Sequence, residues 1–196
     1  MASNFGKTIQ VSTFGASHGY AIGGIVEGLP CGHTIDIDEL QAFLKRRAPG
    51  QNQLQTQRKE ADIPEFLSGM VDGMLSGSPL AFMIRNTSQH SGDYNNLRDI
   101  PRPSHADFTA RMRYGDKVDM RGGGHFSARL TAPLCVAGGI ALQLLREKGI
   151  EIHGHLKQVG TIQDTPIDMV HPDMKALFEI ATEPIAMVDA DKRSEV

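Results

Sequence analysis

Apolar and polar residues alternate at the start of the chain. Ile9 and Val11 share one face of Lys7–Thr13, the period-two signature of a half-buried strand. A glycine-flanked loop, Gly15–Gly19, follows. Next comes the apolar run Ala21–Val26, where Gly23-Gly24 argues against a helix. The region reads as strand, loop, strand. The period then lengthens to that of a helix. Asp36 stands as an N-cap with Glu39 three residues on as its capping-box partner. Leu40, Phe43 and Leu44 form the apolar face. Lys45, Arg46 and Arg47 fill the last turn, where they complement the helix dipole. Pro49-Gly50 stops the helix.

Gln51–Asp62 is polar. Glu65–Val71 and Leu80–Arg85 read as strands around a Gly-Ser-rich turn. Asn86–Gly124 reads mostly as loop, and long structured loops tend to carry function. A helix is expected from about Ala128 to Lys148, with Ser127 as N-cap, Pro133 in its early turns and Gly149 as its stop. Glu151–Thr161 reads as a further strand. Pro172 suits the first turn of a final amphipathic helix through Thr182. With no repeat or interdomain linker along it, the sequence 1–196 reads as a single domain.

Composition narrows the picture. Apolar residues make up 40% and charged residues 22% of the 196, enough to bury a core. A net charge of −3 provides no global basic field for nucleic acid. The basic residues are locally clustered instead, which suits a small anionic ligand. Cys31 and Cys135 lie far apart, so neither a disulfide framework nor a zinc motif follows, and no metal is expected. Met1–Thr13 is too polar for a signal peptide, and Ala132–Leu145 is too short and glycine-rich for a membrane span. A soluble cytoplasmic protein with no membrane partner is the expectation.

Four segments carry chemistry. Gly15-Ala16-Ser17-His18-Gly19 sets a serine and a histidine on a turn that a substrate can approach closely. The pattern also describes the elbow of serine hydrolases, but an elbow needs a helix after it, and here a strand is expected. A turn whose Ser and His only cap backbone is the plain alternative. A histidine there titrates near neutrality and can hand a proton to a leaving phosphate. The basic cluster Arg46-Arg47, with Arg58-Lys59, can bind carboxylate or phosphate in a forked geometry, or can simply end a solvated helix. Arg102-Pro103-Ser104-His105-Ala106-Asp107 puts a second histidine on a stiffened loop, with a carboxylate nearby to orient it. Arg121-Gly122-Gly123-Gly124-His125-Phe126-Ser127-Ala128-Arg129 ends at a helix start, where free N–H groups and a folded-back glycine run can hold an anion or the phosphate of a mononucleotide cofactor.

In order along the chain, FGASHG, RRAPGQ, QTQRKEAD, LSGMVDGMLSGSPLAF, NTSQHSGDY, RPSHADFTARMRYG and DMRGGGHFSARLTAPLCVAGGIA resemble the chorismate synthase family. The resemblance implies an α+β fold, a βαβ sandwich with helices between antiparallel sheets, of which this chain supplies about half. It implies an anti-1,4 elimination of phosphate from 5-enolpyruvylshikimate-3-phosphate, with reduced FMN and no net redox change, and a homotetramer in complete members. It leaves open whether the flavin is reduced externally or by NADP-linked chemistry of the protein itself. On the matching positions, His18 is expected at the leaving phosphate and His105 near reduced flavin. Arg47, Arg129 and Ser17 are expected on the substrate, and His125, Phe126 and Ser127 at the cofactor. The chain departs from the family's usual pattern at Ala16, Gln53, Ser88, His90, His125, Phe126 and Leu130. Members are considerably longer, so the chain is expected to be an N-terminal part. An inactive truncated remnant, or an anion- or flavin-binding scaffold, is the alternative.

Overall fold

The computed structural model describes residues 3–48, 50, 60–87 and 100–196. Within them the chain forms two compact units, Met1–Leu144 and Leu145–Val196. Pro49, Gln53, Arg58-Lys59, Ser88 and His90, named above, fall outside the described residues.

The first unit is built on an antiparallel sheet. Its strands are β1 (Asn4–Gly6), β2 (Gln10–Gly15), β3 (Ala21–Glu27), β4 (Pro64–Ser68) and β7 (Leu80–Arg85), in the order β1-β2-β3-β7-β4. The short hairpin β5 (Met70–Val71) and β6 (Met74–Leu75) forms the Gly-Ser-rich turn between β4 and β7. Register sets the buried face: Val11 lies opposite Val26, Val26 opposite Leu80, and Ile22 opposite Ile84. These residues, with Phe82, form one core with Leu40 and Leu44 of α1 (Ile37–Arg47) and Ala132, Val136, Ile140 and Leu144 of α3 (Thr131–Arg146). Fully burying a side chain such as Phe82 stabilises the fold by about 1.5–3 kcal/mol.

Helix α1 forms as expected. Asp36 accepts from the backbone N–H of Glu39 at 2.9 Å, Asp38 and Glu39 occupy the first turn, and three bases occupy the last. Gln143 of α3 locks its start: Oε1 accepts from Asp36 N–H and Nε2 donates to Asp36 C=O, both at 2.9 Å. The two helices meet at Gly139. A Cβ there would sit 2.5 Å from Leu40 Cδ1 and 3.1 Å from Phe43 Cδ1.

Two expectations for this unit are corrected. The stretch read mostly as loop contains α2 (Asp107–Tyr114) and a 3-10 segment over Arg121–Phe126. Ser127 does cap, but it caps a 3-10 turn, Ala128–Leu130, and α3 begins only at Thr131. The segment 121–146 is long and apolar enough for a membrane span by composition, yet half of its apolar stretch is buried. Its continuous α-helix is the core helix α3.

In the second unit, the expected strand over Glu151–Thr161 is absent. Only β8 (Gln158–Val159) and β9 (Ile162–Gln163) pair, as a two-residue hairpin. The last helices are α4 (Met174–Ile180), capped by Asp173 rather than begun at Pro172, and α5 (Ala190–Glu195), capped by Asp189. Asp164 organises this unit, accepting from the N–H groups of Val188 and Asp189 at 2.7 and 2.9 Å.

Candidate active site

The turn that joins β2 to β3 carries Ser17 and His18, and both are buried. Ser17 N–H donates to Gly124 C=O at 3.0 Å, which holds the turn against the glycine run. A strand follows the turn, so the motif lacks the strand-to-helix geometry of a hydrolase elbow.

The glycine run is the centre of the arrangement. Gly122, Gly123 and Gly124 have φ of 58°, 87° and 55°, a left-handed path that side-chain-bearing residues rarely follow. Space imposes the same requirement. A Cβ on Gly122 would overlap the His18 ring and lie 3.0 Å from Ser17 Oγ. A Cβ on Gly123 would lie 2.9 Å from His105 Nε2 and 3.4 Å from Ser127 Cβ. Two histidines 87 positions apart (105 − 18) thus lie against adjacent residues, whose Cα atoms are about 3.8 Å apart.

His105 is held from behind. Its Nδ1 lies 2.5 Å from Asp107 Oδ1. Asp107 is nearly inaccessible and accepts from the Arg102 guanidinium at 2.8 and 2.9 Å and from Arg102 N–H at 3.0 Å. Hydrogen bonding from the Arg102 side chain, against burial, holds the Asp107 carboxyl well below the usual carboxylate range. On the other side, hydrogen bonding from Arg121 likewise lowers Asp119, and the charge of His18 acts in the same direction.

The two arginines meet on a residue that the sequence reading did not single out. Asp62 is fully buried and in the left-handed region at φ 50°. It accepts from Arg47 Nη1 at 2.8 Å through one oxygen and from Arg129 Nη1 through the other. Arg129 Nε donates to Asn86 Oδ1 at 3.1 Å, and Asn86 Nδ2 donates to Ala16 C=O and Gly19 C=O at 3.1 and 2.8 Å. Asn86 therefore ties the guanidinium of Arg129 to the turn bearing His18. The amide orientation is unambiguous, because carbonyls only accept and Nε only donates. Arg129 Nη2 is buried, 3.8 Å from Glu60, and has no hydrogen-bond partner among the described residues. Glu60 accepts from Thr87 N–H and Oγ1 at 3.2 and 2.9 Å.

His125 and Phe126 face elsewhere. With Ser3, Thr13, Phe14, Gly15, Tyr114, Lys117 and Val118 they line a groove of about 570 Å³. His125 has both ring nitrogens engaged, Nδ1 with Gly15 C=O at 2.9 Å and Nε2 with Ser3 Oγ at 2.8 Å. Ser127 is not a wall of this groove; its Oγ accepts from Arg129 N–H at 3.3 Å. The structure thus gathers His18, Ser17, His105, Ser127, Arg129 and Arg47 in one network and sets His125 and Phe126 beside it. Asp62, Glu60 and Asn86 were missed. The one signal for the first two was an acidic pair at the end of a stretch read only as polar.

Two histidines against one glycine run, beside two arginines that meet on a buried carboxylate, stand in an α+β scaffold. A sequence model of the chorismate synthase family matches residues 9–195. The chain is 48% identical over 177 residues to a chorismate synthase of Lancefieldella parvula, covering 90% of this chain and 46% of that protein. It is 44% identical over 196 residues to one of Bacteroides thetaiotaomicron, covering 100% and 53%. A solved structure described as a crystal structure of chorismate synthase superposes with a TM-score of 0.68 at 24% identity, covering 96% of this chain and 51% of that one; it shows the fold. The chain belongs to the chorismate synthase family, and it spans about half the length of these curated relatives.

Proposed function

We propose that this chain carries the proton-handling half of a chorismate synthase site. The reaction is removal of phosphate and a ring hydrogen from 5-enolpyruvylshikimate-3-phosphate by 1,4 elimination, giving chorismate. The observation that carries the reading is the pairing of His18 and His105 on adjacent glycines. His18 protonates the oxygen of the departing phosphate, and the buried turn keeps water from competing for that proton. Arg129, with one guanidinium nitrogen unengaged, and the partly exposed Arg47 bind the anionic groups of the substrate, with Ser17 beside them. The substrate's charge must compete with Glu60, 3.8 Å from Nη2, and with Asp62 for these guanidiniums.

The cofactor implied by the family is reduced FMN. The groove fits a planar aromatic group: Phe14, Tyr114 and Phe126 line it, Lys117 supplies one cation, and its volume is that of a small-molecule site. His125 serves as a wall and as a staple between β2 and the glycine run, with no ring nitrogen left to donate. Phe14, Tyr114 and Phe126 would hold the flavin, which when bound would supply electron density for the departure of phosphate. The working protein is a soluble, cytoplasmic homotetramer.

The test is anaerobic turnover with photoreduced FMN, following chorismate absorbance and phosphate release together. Both products are expected in equal amounts, and His18→Ala and His105→Ala should each slow turnover by roughly two to four orders of magnitude. Product formed equally well without flavin, or undiminished in both variants, overturns the reading.

A further inference from the structure

The contacts of His105 settle which of its nitrogens works. An imidazole nitrogen and a carboxylate oxygen at 2.5 Å cannot both present lone pairs; a proton must lie between them. Asp107 cannot supply it. Its carboxyl is held ionised by Arg102 through the fork and the backbone N–H. The proton therefore belongs to Nδ1. Arg102 Nη2 stands 3.3 Å from the same nitrogen, but it already donates to Asp107 Oδ1 at 2.9 Å, and the closer carboxylate decides the tautomer. In the neutral ring Nε2 is then bare, and Nε2 is the atom that faces Gly123.

The loop is shaped to bring this about. Ser104 takes φ 60°, a costly conformation for a residue with a side chain, and Asp107 begins α2 with its side chain turned back onto Arg102. Arg102 compensates the charge of Asp107, so what the carboxylate gives His105 is direction: the ring is pinned on its far edge and its near edge is presented to the glycine run.

We propose that Asp107 is a positioning residue that locks His105 in the Nδ1–H tautomer and makes Nε2 the atom that exchanges protons at the site. In the neutral state His105 enters as an acceptor at Nε2, and it donates from that same atom once protonated. This rests on the reading that His105 works at the site, but the tautomer is measurable without turnover.

The experiment is long-range proton–nitrogen correlation on the nitrogen-15-labelled chain, at a pH where the ring is neutral. His105 is assigned by its loss in His105→Gln. The expected spectrum shows a protonated Nδ1 and a bare Nε2. In Asp107→Ala, with the amide spectrum otherwise retained, the population should move to Nε2–H, the form a free imidazole favours. A native ring found mainly as Nε2–H overturns the proposal whatever the variant does, including a variant that fails to fold. An unchanged tautomer in a folded Asp107→Ala overturns it too. Absence of chorismate formation alongside the expected tautomer would remove the proposed activity and leave the role of Asp107 standing.

Discussion

Replacing Asp62 separates the charge it supplies from the backbone it forms. The carboxylate is fully buried between Arg47, about one-fifth exposed, and Arg129, which is 4% exposed. Breaking a buried ion pair by removing one partner costs about 3–5 kcal/mol, because a charge is left uncompensated. Two features lower that figure here: Arg47 can turn toward water, and Glu60 lies 3.8 Å from Arg129 Nη2. We expect a loss of about 3 kcal/mol for Asp62→Gly. Asp62→Ala should lose about 1 kcal/mol more, because φ is 50° and a β-carbon is disfavoured there. Asp62→Asn should fall below both, at about 1.5–3 kcal/mol, since asparagine tolerates the left-handed region and keeps an acceptor. In melting temperature, 3 kcal/mol corresponds to about 6–12 °C for a chain of this size. Urea titration followed by circular dichroism reads the midpoints, with the slope unchanged. The ranking matters as much as the sizes. A loss under about 1 kcal/mol for Asp62→Ala, the scale of an exposed pair, would show that the cluster is solvated and that the reasoning fails.

Three further outcomes follow. Gly122→Ala should displace the His18 ring and slow turnover by about a hundredfold, the scale of an ångström-sized misplacement; unaltered His18 ring signals would contradict the overlap. Asp107 has its folded-state value below the ordinary carboxylate value of about 3.9. Its contribution is therefore complete above about pH 4 and lost as pH falls further, so Asp107→Asn should flatten the acid limb of the stability profile below pH 4 and change its shape little above. Gly139→Val should lose about 1–3 kcal/mol by overpacking the crossing of α1 and α3, read as a lower urea midpoint; a gain would mean that the helices can part.

Much of the fold was legible where signals coincided. In α1 the cap, the spacing of Leu40 and Leu44 and the terminal charges all agree, and both ends were read from sequence. In α2 the signals conflict. Its larger apolar residues, Phe108 and Met112, are exposed, while Asp107 and Ala110 are buried. Such a pattern points to no helix, because the residues it buries are not its large apolar ones. Glu151–Thr161 was read as a strand, but a strand exists only with a partner, and Ile150 and Ile152 are exposed. The histidines were visible because each sits in a distinctive loop. Asp62 was not: its partners stand 15 and 67 positions away, and nothing in a sequence announces φ 50°. Asn86 was hidden in the same way, read as the start of a loop although it joins Arg129 to the turn of His18.

The staple between Ser3 and His125 closes 122 positions of chain, and Asp62 waits 67 positions for Arg129. Contacts of such range must overcome loop-closure entropy before they stabilise anything, which places them late in folding. During synthesis, β1, β2 and β3 exist as a meander well before the glycine run has been made. Until Arg129 leaves the ribosome, Asp62 lacks one of the two guanidiniums it pairs with among the described residues and cannot be buried in its final form. The order of translation therefore lets the sheet form before the site can close, and a ribosome stalled short of codon 129 would hold a sheet without either the site or the core helix α3.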